Sequence, residues 1–262
     1  MQTWPLADLC DPARVMSLPL PRLQPPNERG RGISEIARVL SINNTGEERV
    51  VFVKRQRNFG FRDLRSGLRL RPTLLREFRN LQRLKALGLR VPEILCFQEG
   101  PDPRARNGSH QAVLVTAELE GYLPFDQALV SRAMQGLRPM LLQTLGESLL
   151  TLHRANLMHG CLYPGHILVN SQTAPTPNGS EGQTAEPMDL AFIDLEKMRR
   201  VWRRTRATSR DLSQLLRRIT DLSVPEVKRL LAPLEVAIPD LERRVEADMA
   251  RRRSRALPGC PY

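Results

Sequence analysis

Apolar, largely β-branched residues recur among polar ones over 33–42 and form a short run at 50–53 within 49–54, and both stretches read as strands. Asn43-Asn44-Thr45-Gly46 lies between them, a turn signature that joins two such strands as a hairpin. The pattern then changes. Over 72–87, Leu74, Leu75, Phe78, Leu81 and Leu84 recur at helical spacing, with Pro72 at the start and Gly88 after the end, which predicts a helix. Residues 91–97 and 112–119 return to strand character on either side of a polar loop at 100–108. Beyond Gly121 the pattern is helical at 125–134, 137–155, 209–219, 224–231 and 240–253. Residues 1–27 carry six prolines and read as an arm without regular structure. A Thr/Pro/Gly/Ser-rich tract at 171–188 reads as a flexible surface insertion.

Strands first and helices later predict an α+β chain of two lobes with a cleft between them. The first, residues 28–120, would be an antiparallel sheet with one helix, and the second, 121–262, mainly helical. A chain of 262 residues with 41% hydrophobic content can bury that much core.

Charge narrows the partners. Forty Lys and Arg against 28 Asp and Glu give a net +12, which calls for an anionic partner: nucleic acid, an anionic membrane surface or a phosphorylated substrate. Aromatics at 5% argue against base stacking, and no helix-turn-helix, zinc or RNP-type pattern accompanies the charge, so nucleic acid ranks last. The excess is concentrated at 197–218, where nine basic residues face one acid, Asp211. A second cluster, Arg251, Arg252, Arg253 and Arg255, suits anionic headgroups of an inner membrane. Cys10, Cys96, Cys161 and Cys260 are scattered without a C-x-x-C pair, which argues against a disulfide framework and a zinc site and fits a reducing cytoplasm. The N-terminus lacks the basic start and apolar run of a signal peptide, and no stretch reaches the ~18 apolar residues of a membrane span. Any contact with a membrane would therefore be peripheral.

Two short segments carry the chemistry. His159-Gly160-Cys161-Leu162-Tyr163-Pro164-Gly165-His166 is a polar turn running into the strand-like Ile167-Leu168-Val169, and Phe192-Ile193-Asp194-Leu195-Glu196 is an apolar strand ending in a carboxylate. Together with Asn27-Glu28-Arg29-Gly30-Arg31-Gly32, Val51-Phe52-Val53-Lys54-Arg55-Gln56, Glu77 on the 72–87 helix and Arg210-Asp211-Leu212, they occur in the order found in kinase-like enzymes. In these residues the chain resembles the bacterial lipopolysaccharide kinase family (Kdo/WaaP-like), especially its InaA-type branch, over roughly residues 27–218.

The resemblance implies a two-lobed protein-kinase-like fold and ATP-dependent phosphorylation of a lipopolysaccharide core sugar or another anionic phosphorylated glycan. It implies that Lys54, oriented by Glu77, meets the α- and β-phosphates of ATP, and that Asp194 binds Mg²⁺. His166 would be a second metal ligand, and imidazole there could favour Mn²⁺. Gly30, Gly32 and Ser34 would cover phosphates, His159 would hold the shape of the turn, and Asp211 would start a helix and brace the loop backbone. The 197–218 segment would hold the acceptor. One position breaks the kinase pattern: Cys161 stands where such enzymes keep the catalytic Asp. Three outcomes stay open at that point: a slow kinase, a kinase that recruits another base such as Glu196, or a nucleotide-binding pseudokinase acting as a scaffold.

Overall fold

The computed structural model describes residues 2–30, 32–63, 69–102, 110–172, 188–219 and 221–255. The chain separates into two compact units, one of Met1–Arg83 and Pro92–Glu120, the other of Leu84–Val91 and Gly121–Tyr262.

The first unit starts with β1 (Thr3–Pro5), α1 (Leu6–Cys10) and α2 (Pro12–Val15), then β2 (Asn27–Arg29), β3 (Gly32–Ile42) and β4 (Glu48–Arg57). A small β5–β6 ribbon (Gly60–Asp63, Arg69–Pro72) leads into α3 (Thr73–Ala86), and β7 (Ile94–Pro101) and β8 (His110–Ala117) complete the sheet. Its order is β1-β3-β4-β8-β7, with β2 folded back on β3 and every pairing antiparallel except β1–β3. Alternation along β4 decides what covers each face. Val51 and Val53 point into an apolar cluster with Val39, Val113 and Val115, roofed by Trp4, Leu9, Val15 and Leu20 of the N-terminal segment. Lys54 and Gln56 point the other way, toward α3.

The N-terminal 27 residues are therefore not an arm without structure. Asp11 caps α2 through the amides of Ala13 and Arg14, with Pro12 in the first turn, so a proline read as a breaker instead starts a helix. Arg55 donates to the carbonyls of Val15 and Leu18 and to Glu35, pinning the segment to the sheet. A disulfide between Cys10 and Cys96 joins α1 to β7 across 86 residues, against the sequence expectation of none. Cysteines that far apart leave no spacing signature, and their scatter no longer supports a reducing compartment.

The second unit contains β9 (Tyr122–Pro124), α4 (Phe125–Val130), α5 (Arg138–Arg154), β10 (Leu157–Met158), β11 (Ile167–Asn170), β12 (Leu190–Phe192), β13 (Arg199–Arg200), α6 (Arg204–Leu216), α7 (Val224–Glu235) and α8 (Leu241–Arg255). Strands β12-β11-β9 form one antiparallel sheet and β10–β13 a two-stranded one. Gly146 lets α5 meet α7 closely, since a Cβ there would lie 2.4 Å from the Leu230 carbonyl oxygen. Helix α6 begins five residues before the apolar spacing predicted, because its first turn, Arg204-Thr205-Arg206, is polar and carries no apolar periodicity. The expected insertion at 171–188 falls almost wholly outside the described residues, as do the side chains of Arg252, Arg253 and Arg255. No helix among the described residues is long and apolar enough to cross a membrane.

Candidate active site

The sequence-predicted residues fall into two groups, one in each unit. In the first, Lys54 sits on β4 between Ile36 of β3 and Leu114 of β8. Its Nζ donates to Glu77 Oε1 at 2.6 Å. The Lys54 side chain keeps a quarter of its surface, whereas that of Glu77 is 5% exposed. Glu77 Oε2 is buried with no hydrogen-bond partner, so the carboxylate's charge is committed to the lysine.

Gln56 sets up this pair, and sequence reasoning gave it no role. Two residues beyond Lys54 on the same face of β4, its amide nitrogen donates to Ser34 Oγ and Thr73 Oγ1, and its amide oxygen accepts from the Leu74 N–H. It thereby satisfies an orphan donor at the start of α3 and fixes the helix so that Glu77, one turn on, reaches Lys54. The only available signal was the two-residue step from Lys54. Gly30, at φ +60°, opens the turn between β2 and β3, with open space where a Cβ would be. Gly32 has a packing reason of its own: a Cβ would meet the Asn58 carbonyl oxygen at 2.5 Å. Ser34 is engaged with Gln56.

In the second unit, β10 delivers the chain into the 159–166 turn, and α6 holds that turn from behind. Asp211, fully buried, accepts from the backbone N–H of His159 at 2.8 Å and of Gly160 at 2.9 Å, and lies 3.1 Å from His153 Nε2. One turn on, Gln214 accepts from the Leu162 N–H and donates to the Gly160 carbonyl. Asp211 thus braces the loop as expected, but from the middle of α6 rather than its start. Gly160 is required twice over: its φ is +79°, and a Cβ would lie 2.8 Å from the Lys197 carbonyl oxygen. Burial pushes the His159 pKa down to about 4, so the ring is neutral, and its two nitrogens are buried without a hydrogen-bond partner, so the expected bracing of the turn by this ring is not seen. Replacing Asp211 with alanine is expected to cost about 3–5 kcal/mol, since it strands the buried His159 N–H, the half-buried Gly160 N–H and the buried His153 ring. Urea unfolding of the variant would measure the loss, and a change below about 1 kcal/mol would mean the loop is held elsewhere.

The turn brings three predicted residues together. His166 Nδ1 lies 2.9 Å from the Cys161 carbonyl oxygen, which can only accept, so Nδ1 carries the proton. In the neutral imidazole Nε2 then holds a lone pair, and it faces Asp194 Oδ2 at 3.5 Å. Two acceptors facing each other at that distance suit a shared cation. The fixed tautomer is the one a metal-ligating histidine needs. No group of three or more His, Cys, Asp or Glu that could hold a metal occurs among the described residues. Two protein donors are enough for Mg²⁺, which keeps several waters. Asp194 lies two residues beyond β12 in the left-handed region at φ 55°, and Ile193 between them donates its N–H to the His166 carbonyl, tying this segment to the loop.

Cys161 is 3% exposed. Beside it lies the Lys197 ammonium, whose pKa is raised chiefly by its electrostatic interaction with Cys161. The sequence gave Lys197 only as one cation of a basic run. At the far end of that run, Arg218 stacks 3.8 Å over the Tyr163 ring, on the same loop.

Residues 15–233 match the Lipopolysaccharide kinase (Kdo/WaaP) family. The chain belongs to this family. It is 29% identical over 197 residues to Protein InaA of Escherichia coli (strain K12), covering 74% of this chain and 81% of that protein. Among solved structures it is similar to WaaP in complex with acyl carrier protein, with a TM-score of 0.58 and 20% identity over 89% of this chain and 88% of that one. The fold is the α+β, two-lobed kinase-like one that the sequence predicted. Family membership supports a kinase-like function that uses ATP and a divalent metal, with a glycan as acceptor class.

Proposed function

We propose that the protein is an ATP-dependent phosphotransferase acting on an anionic, phosphorylated glycan of the lipopolysaccharide-core type. The observation that carries this reading is His166 Nε2 facing Asp194 at 3.5 Å with its tautomer fixed by the Cys161 carbonyl. Lys54, held by Glu77, orients the α- and β-phosphates; Asp194 and His166 hold the divalent metal. When bound, that metal neutralises charge developing on the transferred group. Mg²⁺ suits the carboxylate, and the imidazole widens the choice to Mn²⁺. Gly30 leaves backbone room for phosphate at the β2–β3 turn. Arg218 and Lys197, both at the loop, suit an acceptor bearing phosphate or carboxylate.

In the transfer, the acceptor oxygen forms a bond to the γ-phosphorus while the bond to ADP breaks, and the hydroxyl proton leaves to a base or to solvent. No carboxylate stands at the place of the usual base. Phosphoryl transfer depends mainly on positioning and charge, so Cys161 slows the reaction without abolishing it. The test is mass-spectrometric detection of phosphate added to deacylated lipopolysaccharide core in the presence of ATP with Mg²⁺ or with Mn²⁺. Phosphorylated product supports the reading. Saturable stabilisation by ATP and metal with no product would replace it with the second reading, a nucleotide-binding pseudokinase, which buried Cys161 favours.

A further inference from the structure

The charge run at 197–218 divides structurally. Its C-terminal end approaches the loop through Gln214 and Arg218. Its N-terminal end does something else. Arg199, Arg200, Trp202, Arg203 and Arg206 are all exposed, and no acidic residue occurs from Lys197 through Arg210. Trp202 is 103% exposed, its indole standing entirely clear of the surface. A large ring left in water is an unfavourable placement that asks for a partner.

We propose that Trp202 and the surrounding arginines are a docking surface for an anionic phospholipid bilayer. Tryptophan favours the headgroup region, where the ring body leaves water and the indole N–H keeps polar partners. Arginines beside it are drawn to anionic headgroups. A protein partner would need an apolar centre around the ring. The other exposed large hydrophobic residues among those described, Leu23, Val130, Val224 and Val236, belong to other segments. One ring within a field of arginines fits a lipid surface.

The segment is rigidly tied to the reaction loop. Strand β13, Arg199–Arg200, pairs with β10, Leu157–Met158, which runs directly into His159. On either side of Trp202, the Val201 N–H donates to the Asn156 carbonyl and Arg204 donates to that of Arg154. A bilayer held at Trp202 is therefore held at a fixed offset from the loop, where a lipid-borne acceptor would be presented. That consequence rests on the proposed function; the docking does not.

The experiment is tryptophan fluorescence and co-sedimentation of the full chain with phosphatidylcholine vesicles, with and without phosphatidylglycerol. A shift in emission reports on Trp202, because the other of the two tryptophans, Trp4, is 9% exposed in the core and already shielded from water. Anionic vesicles should shift the emission to the blue and carry the protein into the pellet, and neutral vesicles should do neither. Binding should fall steeply between about 0.1 M and about 0.5 M salt. Trp202→Ala should weaken co-sedimentation about tenfold, as expected for losing a buried aromatic side chain. Combining Arg199→Gln, Arg200→Gln and Arg203→Gln should weaken it about fivefold per arginine, on the order of 100-fold in all. All these positions are exposed, and circular dichroism will verify that each variant folds. No binding to anionic vesicles at low salt, or binding unchanged in both variants, overturns the proposal. So does an equal blue shift from deacylated lipopolysaccharide core or a single-stranded oligonucleotide, either of which would make the patch a site for a soluble anion. Because the readout is binding alone, loss of phosphotransferase activity has no bearing on the result.

Discussion

Replacing Asp194 with asparagine is expected to lower phosphate transfer by about 10³-fold or more, the scale of losing metal-borne charge stabilisation worth several kcal/mol. Asparagine is the informative choice because residue 194 sits at φ 55°. Asn tolerates the left-handed region, whereas alanine there would add about 1 kcal/mol of backbone cost and blur the result. The substitution removes one negative charge and keeps the local backbone shape. A second readout does not depend on turnover: ATP should raise the melting temperature of the wild type only when Mg²⁺ or Mn²⁺ is present, and that metal-dependent part should vanish in Asp194→Asn. If ATP stabilises both proteins equally with metal and without it, Asp194 is not a metal ligand and the facing His166 lone pair needs another explanation.

The elements that announced themselves were those whose stabilisation is local or periodic. Strands β3, β4 and β8 are short runs rich in Val, Ile and Leu, so composition marked them, and the Asn43 turn fixed the hairpin between the first two. Lys54 and Glu77 were legible as a pair because a β4 lysine and an α3 carboxylate occurred in the order of a kinase-like chain. What was not legible depended on contacts far apart in sequence. Parallel pairing of β1 with the end of β3, and the Cys10–Cys96 bridge, are invisible to any local window. So the N-terminal segment read as an arm when it is the roof of the sheet. Strands β10 and β13, two residues each, are too short for a period, yet their pairing ties Trp202 to the loop. Side-chain amides are the other blind spot. Gln56 and Gln214 have no hydrophobic signature, and each satisfies backbone groups that no pattern reveals.

Replacing Cys161 with aspartate is expected to raise the rate of phosphate transfer by about 10²–10⁴-fold, the usual contribution of a positioned general base. The structure supplies the conditions. The loop is already braced by Asp211 and Gln214, the His166 ring is already fixed by the carbonyl of residue 161, and side-chain volume changes little between cysteine and aspartate. A carboxylate at a position only 3% exposed would normally be costly to ionise, but the Lys197 ammonium lies beside residue 161 and would pair with it. This makes the stability of the variant a test in its own right. In the wild-type background Cys161→Asp should melt close to the parent. With Lys197→Met added, the same change should cost about 3–5 kcal/mol, because a buried carboxylate would then have lost its partner. Rate gain with preserved stability means that one substitution alone holds the kinase back. Preserved stability without rate gain means that the lesion is not confined to residue 161, and the pseudokinase reading then takes precedence.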